Sequence, residues 1–156
     1  MPLIYLETYI KADINIVFDL SRSVDLHKIS TAHTDEEAIA GVTSGLMSLN
    51  DTVTWRARHF GLFHQLSSQI TDLTRPSFFA DEQIKGAFKS FRHEHHFKQK
   101  DDKVLMIDYF DYKSPLWVLG NLADWLFLEK YMTGLLLKRN ATIKEFAESN
   151  RWKELL

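Results

Sequence analysis

The chain has 156 residues, with 19 Lys and Arg against 21 Asp and Glu and a formal net charge of −2. That length suits one domain over 1–156 with a substantial core, and the near-neutral balance gives no broad field to draw in nucleic acid or an anionic membrane. Cysteine is absent, which removes disulfides, thiolate catalysis and Cys-based zinc sites and fits a reducing compartment.

Eleven Phe, five Tyr and four Trp stand against only six Gly and three Pro, an aromatic-rich but otherwise ordinary globular composition. The start, Met1 to Glu7, has neither a basic segment nor a small-residue cleavage site, so no signal peptide is expected. Leu116 to Leu137 is the most apolar stretch, but Asp124, Glu129 and Lys130 interrupt it and make it a poor membrane span. The expectation is a cytoplasmic protein without stable membrane insertion.

In chain order, Leu3 to Ile10 is apolar and β-rich and reads as a strand. Asp13 is placed as an N-cap for a short helix, Ile14 to Leu20, with Ile14, Val17 and Phe18 on one face. A second short helix is expected over Asp25 to Ile29. Between Ala38 and Asn50 the signal is weak, and Gly41, Gly45 and Asn50-Asp51 mark turns.

From Asp51 to Tyr112 the pattern is antiparallel β. Thr52 to Phe60 alternates Val53, Trp55, Ala57 and His59 against Thr52, Thr54, Arg56 and Arg58, a half-buried strand with a dry and a wet face. Gly61 to His64 is expected as a hairpin loop, followed by Gln65 to Leu73 with Leu66, Ser68 and Ile70 on its drier side. Arg75-Pro76 breaks that strand. Phe78 to Lys85, Phe88 to Lys98 and Val104 to Tyr112 complete the series, with turns at Gly86-Ala87 and Gln99 to Asp102. The short connections make sequence neighbours sheet neighbours.

After Ser114-Pro115 the period becomes helical for 25 to 30 residues, roughly 40 Å. Trp125, Leu128, Met132, Leu135, Leu136, Ile143 and Phe146 gather on one side of the wheel, with Lys130, Lys138, Lys144, Glu145 and Glu148 on the other. The sheet has one dry face and needs a cover; the helix has one dry stripe and needs a surface to lie on. A coiled sheet laid on a straight rod leaves space between them, which side chains or a ligand must fill. The fold class is therefore α+β: a curved antiparallel sheet wrapped around a long C-terminal helix, with two short helices near the N-terminus.

Three segments carry a resemblance: Thr54-Trp55-Arg56-Ala57-Arg58-His59-Phe60, Asp81-Glu82-Gln83-Ile84-Lys85-Gly86, and Phe88 through Phe97 with its His93-Glu94-His95-His96 core. Together they resemble a bacterial subgroup, sometimes labelled cell-division-related, of the START-like (SRPBCC) superfamily. That superfamily includes the polyketide cyclases and the plant pathogenesis-related, Bet v 1-like proteins. The resemblance implies the helix-grip fold and an internal cavity for an apolar or amphipathic ligand. It leaves the ligand and any reaction open, since such members include carriers, sensors, cyclases and hydrolases.

His93 and His95 are two apart on a strand, so both imidazoles leave one face, together with Phe91 and Phe97. Pairing Lys98 with Lys103 across the following loop sets His93 opposite Asp108 and His95 opposite Met106. A carboxylate beside an imidazole can fix its tautomer for general-base work, clamp a ligand hydroxyl or carbonyl, or make a plain structural bond. His-x-His also supplies two metal donors, with His59 or Glu82 as a third, but no further spacing supports a metal and none is expected. Glu82 either joins the apolar Phe78-Ala80-Ile84 face and looks inward or is solvated, the solvated side being favoured. Arg139 interrupts the apolar stripe of the last helix; its head either snorkels to water or waits at the pocket mouth for an acidic headgroup. Arg56 and Arg58, with Lys89 and Arg92, read as a solvated outer face.

The candidate ligand-binding set is thus Trp55, His59, Glu82, Phe91, His93 and His95, with Asp108 behind them, and Trp125, Met132, Leu136 and Arg139 from the helix. His93 and Asp108 are the only catalytic candidates. No phosphate loop, nucleophile elbow or dinucleotide fingerprint occurs, so no cofactor is expected. Three functional readings follow: binding or transport of a hydrophobic small molecule without catalysis, a cyclase or lyase using a cavity His-Asp pair, and an interaction module with a filled core and an exposed patch over Leu116 to Leu122.

Overall fold

The computed structural model describes residues 3–114 and 122–156, with the side chains of 122–124 left aside. The apolar patch expected over Leu116 to Leu122 lies outside the described residues. Strand β1 (Leu3–Ile10) leads into α1 (Ile14–Ser21), whose first turn is capped by Asp13 accepting from the Asn15 amide, and α2 (Val24–Ser30), capped by Ser23. Each cap satisfies a backbone N–H that the helix itself leaves without a partner. Six strands follow: β2 (Glu37–Gly41), β3 (Thr52–His59), β4 (Leu62–Thr74), β5 (Phe78–Lys85), β6 (Ser90–Lys100) and β7 (Lys103–Lys113). The long helix α3 (Leu122–Glu148) has 27 residues.

The strands form one antiparallel sheet in the order β1-β7-β6-β5-β4-β3-β2. From β2 onward each strand pairs with its successor, as short connections require. The first strand crosses to pair with the last, Leu3 facing Asp111 and Ile10 facing Val104. That edge of the sheet is therefore completed only when the last strand, β7, is in place.

Two turns differ from expectation. The β3–β4 hairpin loop is Phe60-Gly61 rather than Gly61 to His64, with φ of 54° and 76°. Positive φ at both central residues matches the twist of the flanking strands, so the ladder extends to a two-residue loop. The β6–β7 turn is likewise only Asp101-Asp102, and Lys100, not Lys98, pairs with Lys103. Strand β2, hidden in the weak Ala38–Asn50 region, is a short edge strand that is mostly exposed and bulged between Ala38 and Ala40. It has no buried alternation for a sequence pattern to report. Gly41 ends it at φ +73°, where a Cβ would meet the Thr52 carbonyl oxygen at 2.2 Å.

One apolar cluster ties α1 and α2 to the sheet and to the C-terminal half of α3: Phe18 lies edge-on to Phe79 (5.5 Å) and Phe97 (5.2 Å), with Ile143 and Phe146 beside them. A second joins Phe91, Phe110 and Tyr112 to Leu128 and Leu136. No helix among the described residues is long and apolar enough to cross a membrane.

Phe18 is fully buried at the junction of sheet and helices. Phe18→Ala is expected to destabilise the protein by about 3–5 kcal/mol through lost burial and the cavity left behind. Urea unfolding checks this; a loss below about 1 kcal/mol would mean that the cluster does not hold the helices to the sheet.

Candidate functional site

Strand β6 alternates cleanly, with Phe91, His93, His95 and Phe97 buried and Arg92, Glu94 and His96 on the other side. On β3 the same alternation turns Val53, Trp55 and Ala57 inward. These faces and α3 enclose a cavity of about 260 Å³, close to the lower end of the roughly 300–1,000 Å³ typical of small-molecule sites. Trp55, Ala57, Ile70 and Phe91 form its sheet wall, and Leu128, Met132 and Leu136 its helix wall.

Its inner end is polar. Asp108 is 0% exposed, yet its carboxylate is fully engaged. Oδ1 accepts from His93 Nε2 at 2.8 Å and from Arg139 Nη1 at 3.3 Å, and Oδ2 accepts from Asn140 Nδ2 at 2.7 Å. Burial pushes this carboxyl up, but the His93 hydrogen bond and the Arg139 charge help to outweigh it and hold Asp108 well below the usual carboxylate range. Burial, then the neighbouring His95, pushes His93 down to about 4 in spite of Asp108. The pair is thus a carboxylate and a neutral imidazole. Nε2–H donates to Asp108, and Nδ1 carries a lone pair that no described group meets.

His95 stacks on Phe79 at 4.0 Å and lies 3.8 Å from the His93 ring. Its Nε2 donates to Asp81 Oδ1 at 2.8 Å, and its Nδ1 accepts from Arg139 Nη2 at 3.2 Å. A guanidinium can only donate, so the ring proton sits on Nε2. Arg139 also donates to the Asn140 side chain (2.9 Å) and to the Ser21 carbonyl (3.2 Å) at the end of α1, where the negative end of the helix dipole favours a cation. Burial raises the Asp81 carboxyl, and the hydrogen bond from His95, with the charges around it, brings the net shift downward.

The outer part carries a second polar group. His59 Nδ1 and the Tyr131 hydroxyl are 2.5 Å apart, His27 Nε2 meets Glu36 Oε1 at 3.2 Å, and His64 Nε2 is buried without a partner. Burial, then the Glu36 charge, raises the Tyr131 hydroxyl, while burial lowers His59. Tyr131 and Arg139 are eight residues apart on α3, so the two polar regions are separated by about 12 Å along the helix.

Of the residues singled out from sequence, Trp55, His59, Phe91, His93, His95, Met132, Leu136 and Arg139 line the cavity, and Asp108 lies directly behind it. The expected register is corrected by two residues: Asp108 faces His95, and His93 faces Phe110. A slip of two keeps every side chain on its own face, so His93 still reaches Asp108, on the diagonal. Glu82 is on the outer face, paired with Arg92 at 3.1 Å. The inward carboxylate of β5 is Asp81, whose cross-strand partner is His93. The sequence left both sides open and favoured the solvated one for Glu82, as found; Ile84, two residues on, is 58% exposed.

Trp125 does not reach the cavity. Trp125, Leu126 and Phe127 are 48%, 58% and 57% exposed, while Leu128 of the same turn is buried. Arg139 neither snorkels nor waits at the mouth; it is 7% exposed and committed to Asp108. Asn140, Glu36, His27 and Tyr131 escaped notice in the sequence, since a polar residue near a helix stripe or in a loop carries no pattern of its own. Arg56 and Arg58 do lie on the outer face, over the Phe63 ring.

Asp81, His93 and His95 offer one ligand atom each within 4.8 Å, a set that could approach a divalent cation. Neither His59 nor Glu82 is part of it. Both nitrogens of His95 are already engaged, one of them by the guanidinium, so a metal would have to break the Asp81 or the Arg139 bond and face that positive charge.

Removing Asp108 leaves a buried guanidinium without its counter-ion. Asp108→Ala is expected to cost about 3–5 kcal/mol in urea unfolding, with partial recovery in the Asp108→Ala/Arg139→Met double variant; equal losses would mean that the two groups are not coupled. The depressed His93 predicts a pH dependence. Between pH 6.5 and 4 the unfolded chain takes up a proton that the folded chain refuses, so stability falls with acidification by up to about 3 kcal/mol. Below that range the lowered Asp81 and Asp108 carboxyls add a further loss as they protonate. His93→Gln should flatten the stability curve between pH 6.5 and 4; an unchanged slope would place the titration elsewhere.

No protein-family model and no curated protein matches the chain. Solved structures do. A Thermus thermophilus protein, TTHA0849, is 14% identical with a TM-score of 0.70, over 91% of this chain and 97% of that one. A major latex-like protein of Panax ginseng is 16% identical with a TM-score of 0.66, over 95% and 98%. The Zhui aromatase/cyclase of a Streptomyces species is 12% identical with a TM-score of 0.70, over 94% and 93%. Identities this low speak for the fold alone, and with the curved seven-stranded sheet laid on α3 they give the answer: the chain has the helix-grip fold.

Proposed function

We propose that the chain, acting as one domain, binds a hydrophobic or amphipathic small molecule of lipid or polyketide-like character in the cavity under α3 and holds it without chemical change. The observation that carries this reading is the cavity itself, about 260 Å³ enclosed mainly by apolar side chains, with polar groups gathered at two places. Apolar walls supply affinity and a few fixed polar groups supply orientation. A filled-core interaction module would have no use for such a space.

The state of His93 favours orientation over catalysis. A general base working near neutral pH needs a pKa near 7, and His93 is pushed down to about 4. Its bare Nδ1 is a good hydrogen-bond acceptor and a weak base. One observation supports a cyclase or lyase as second reading: the 2.8 Å His93–Asp108 bond, which would fix the tautomer of a base.

A panel of lipids and aromatic metabolites, read by thermal shift, should give at least one saturable stabilisation, and a ligand at about 100 times its Kd should add about 2.7 kcal/mol. Ala57→Phe, which projects a ring from β3 into the space, should abolish that stabilisation. Silence across the panel would count against binding. Turnover of any bound compound that His93→Ala abolishes, with affinity intact, would establish the enzyme instead.

A further inference from the structure

We infer that the inner end of the cavity is a site for a protonated amine, so that the ligand is an amphiphile with an apolar body and a cationic head. This deepens the binding reading above and rests on it. Two acceptors face the space without a donor. His93, 6% exposed, has Nδ1 open, and Asp81 has Oδ2 open, since its other oxygen takes the His95 hydrogen bond. The two residues are cross-strand partners on β5 and β6 and both line the cavity. A ligand-type atom of each lies within 4.8 Å of one of the other, close enough for a single head group to reach both residues.

The charges there do not cancel. Asp81 and Asp108 are carboxylates, and Arg139 supplies one positive charge, committed to Asp108 by Nη1 and to Ser21 and His95 by Nη2. His95 accepts from that guanidinium and so carries a single ring proton. The other arginine on the wall, Arg22, is bound to Asp19 at 2.8 Å and to the Met47 carbonyl at 2.9 Å. Glu36, at the outer group, is a further anion. The inner group thus holds one negative charge beyond its cations, in surroundings where uncompensated charge is expensive.

An ammonium group answers both features. It has three donors and no acceptor, and its charge balances Asp81. With a pKa of about 10 an alkylamine stays protonated at neutral pH. A carboxylate head would meet two acceptors and a negative charge, and the fork of Arg139 is not open to it. A hydroxyl could donate once but would leave the charge unmatched.

Isothermal titration of the full chain at neutral pH with phenylbutylamine, phenylbutanol and phenylbutyrate, which share one apolar body, tests the inference. The amine should bind at least about tenfold more tightly than the alcohol, as charge-assisted hydrogen bonds require, and the acid most weakly. Asp81→Asn should bring the amine down to the alcohol, while Glu82→Gln, which removes a charge from the outer face, should leave the preference unchanged. An alcohol that equals the amine, or an acid that surpasses it, overturns the amine site and leaves the binding cavity standing. The amine site also falls if none of the three binds; if the broader ligand panel is silent as well, the binding reading falls with it. Should Asp81→Asn fail to fold, the wild-type ranking of the three probes decides.

Discussion

A carboxylate sealed from water has to be answered by donors, and Asp108 is answered by three residues from two elements. His93 comes from the neighbouring strand, and Arg139 and Asn140 from the helix that covers the sheet. Breaking such a contact leaves a buried charge or an unsatisfied polar group, a penalty far above the worth of an ordinary surface pair. The position of α3 over the sheet is therefore specified by polar contacts as well as by apolar packing. Arg139 extends the constraint to α1 through the Ser21 carbonyl and to β6 through His95, so four elements meet around one charge.

That anchor also explains where the cavity lies. The helix is held against β6 and β7 by Arg139 and Asn140 and, further on, by Ile143 and Phe146 in the apolar cluster. Toward its N-terminal end the same straight rod faces Ala57, Ser68 and other modest side chains across a sheet that curves away. The space left there is lined by Met132, Leu136 and Leu128. The polar inner end is rigid because its rings are stacked and hydrogen-bonded at once: His95 lies on Phe79, and His93 meets Phe110 edge-on at 5.3 Å. Groups fixed in this way can orient a ligand without being reorganised by it.

Much of this arrangement was legible in the residues. The alternation of Phe91, His93, His95 and Phe97 gave the inward face of β6 correctly, and Val53, Trp55 and Ala57 gave that of β3, because burial on one side of a sheet imposes a period of two. Asp13 marked the start of α1, and the change of period after Ser114 marked the helix. The pairing of His93 with Asp108 survived an error of two residues in register because an even slip preserves faces. Glu82 and Asp81 show the limit: neighbours on one strand point to opposite sides, and the apolar Phe78, Ala80 and Ile84 beside Glu82 left it open which of the two faced in. Only the alignment of Asp81 with His93 settles it.

The sequence by itself determined the elements other than β2, their order and the dry faces, and with these the helix-grip architecture, because local periodicity and turn chemistry are properties of short segments. Only the tertiary structure decided that Arg139 turns inward to Asp108 rather than outward to water, that Trp125 is not part of the cavity wall, and that Asp81 rather than Glu82 faces the cavity. Each of these depends on which distant group stands opposite. A buried charge finds its partner across 31 positions of chain, and no pattern within a single helix or strand records that distance.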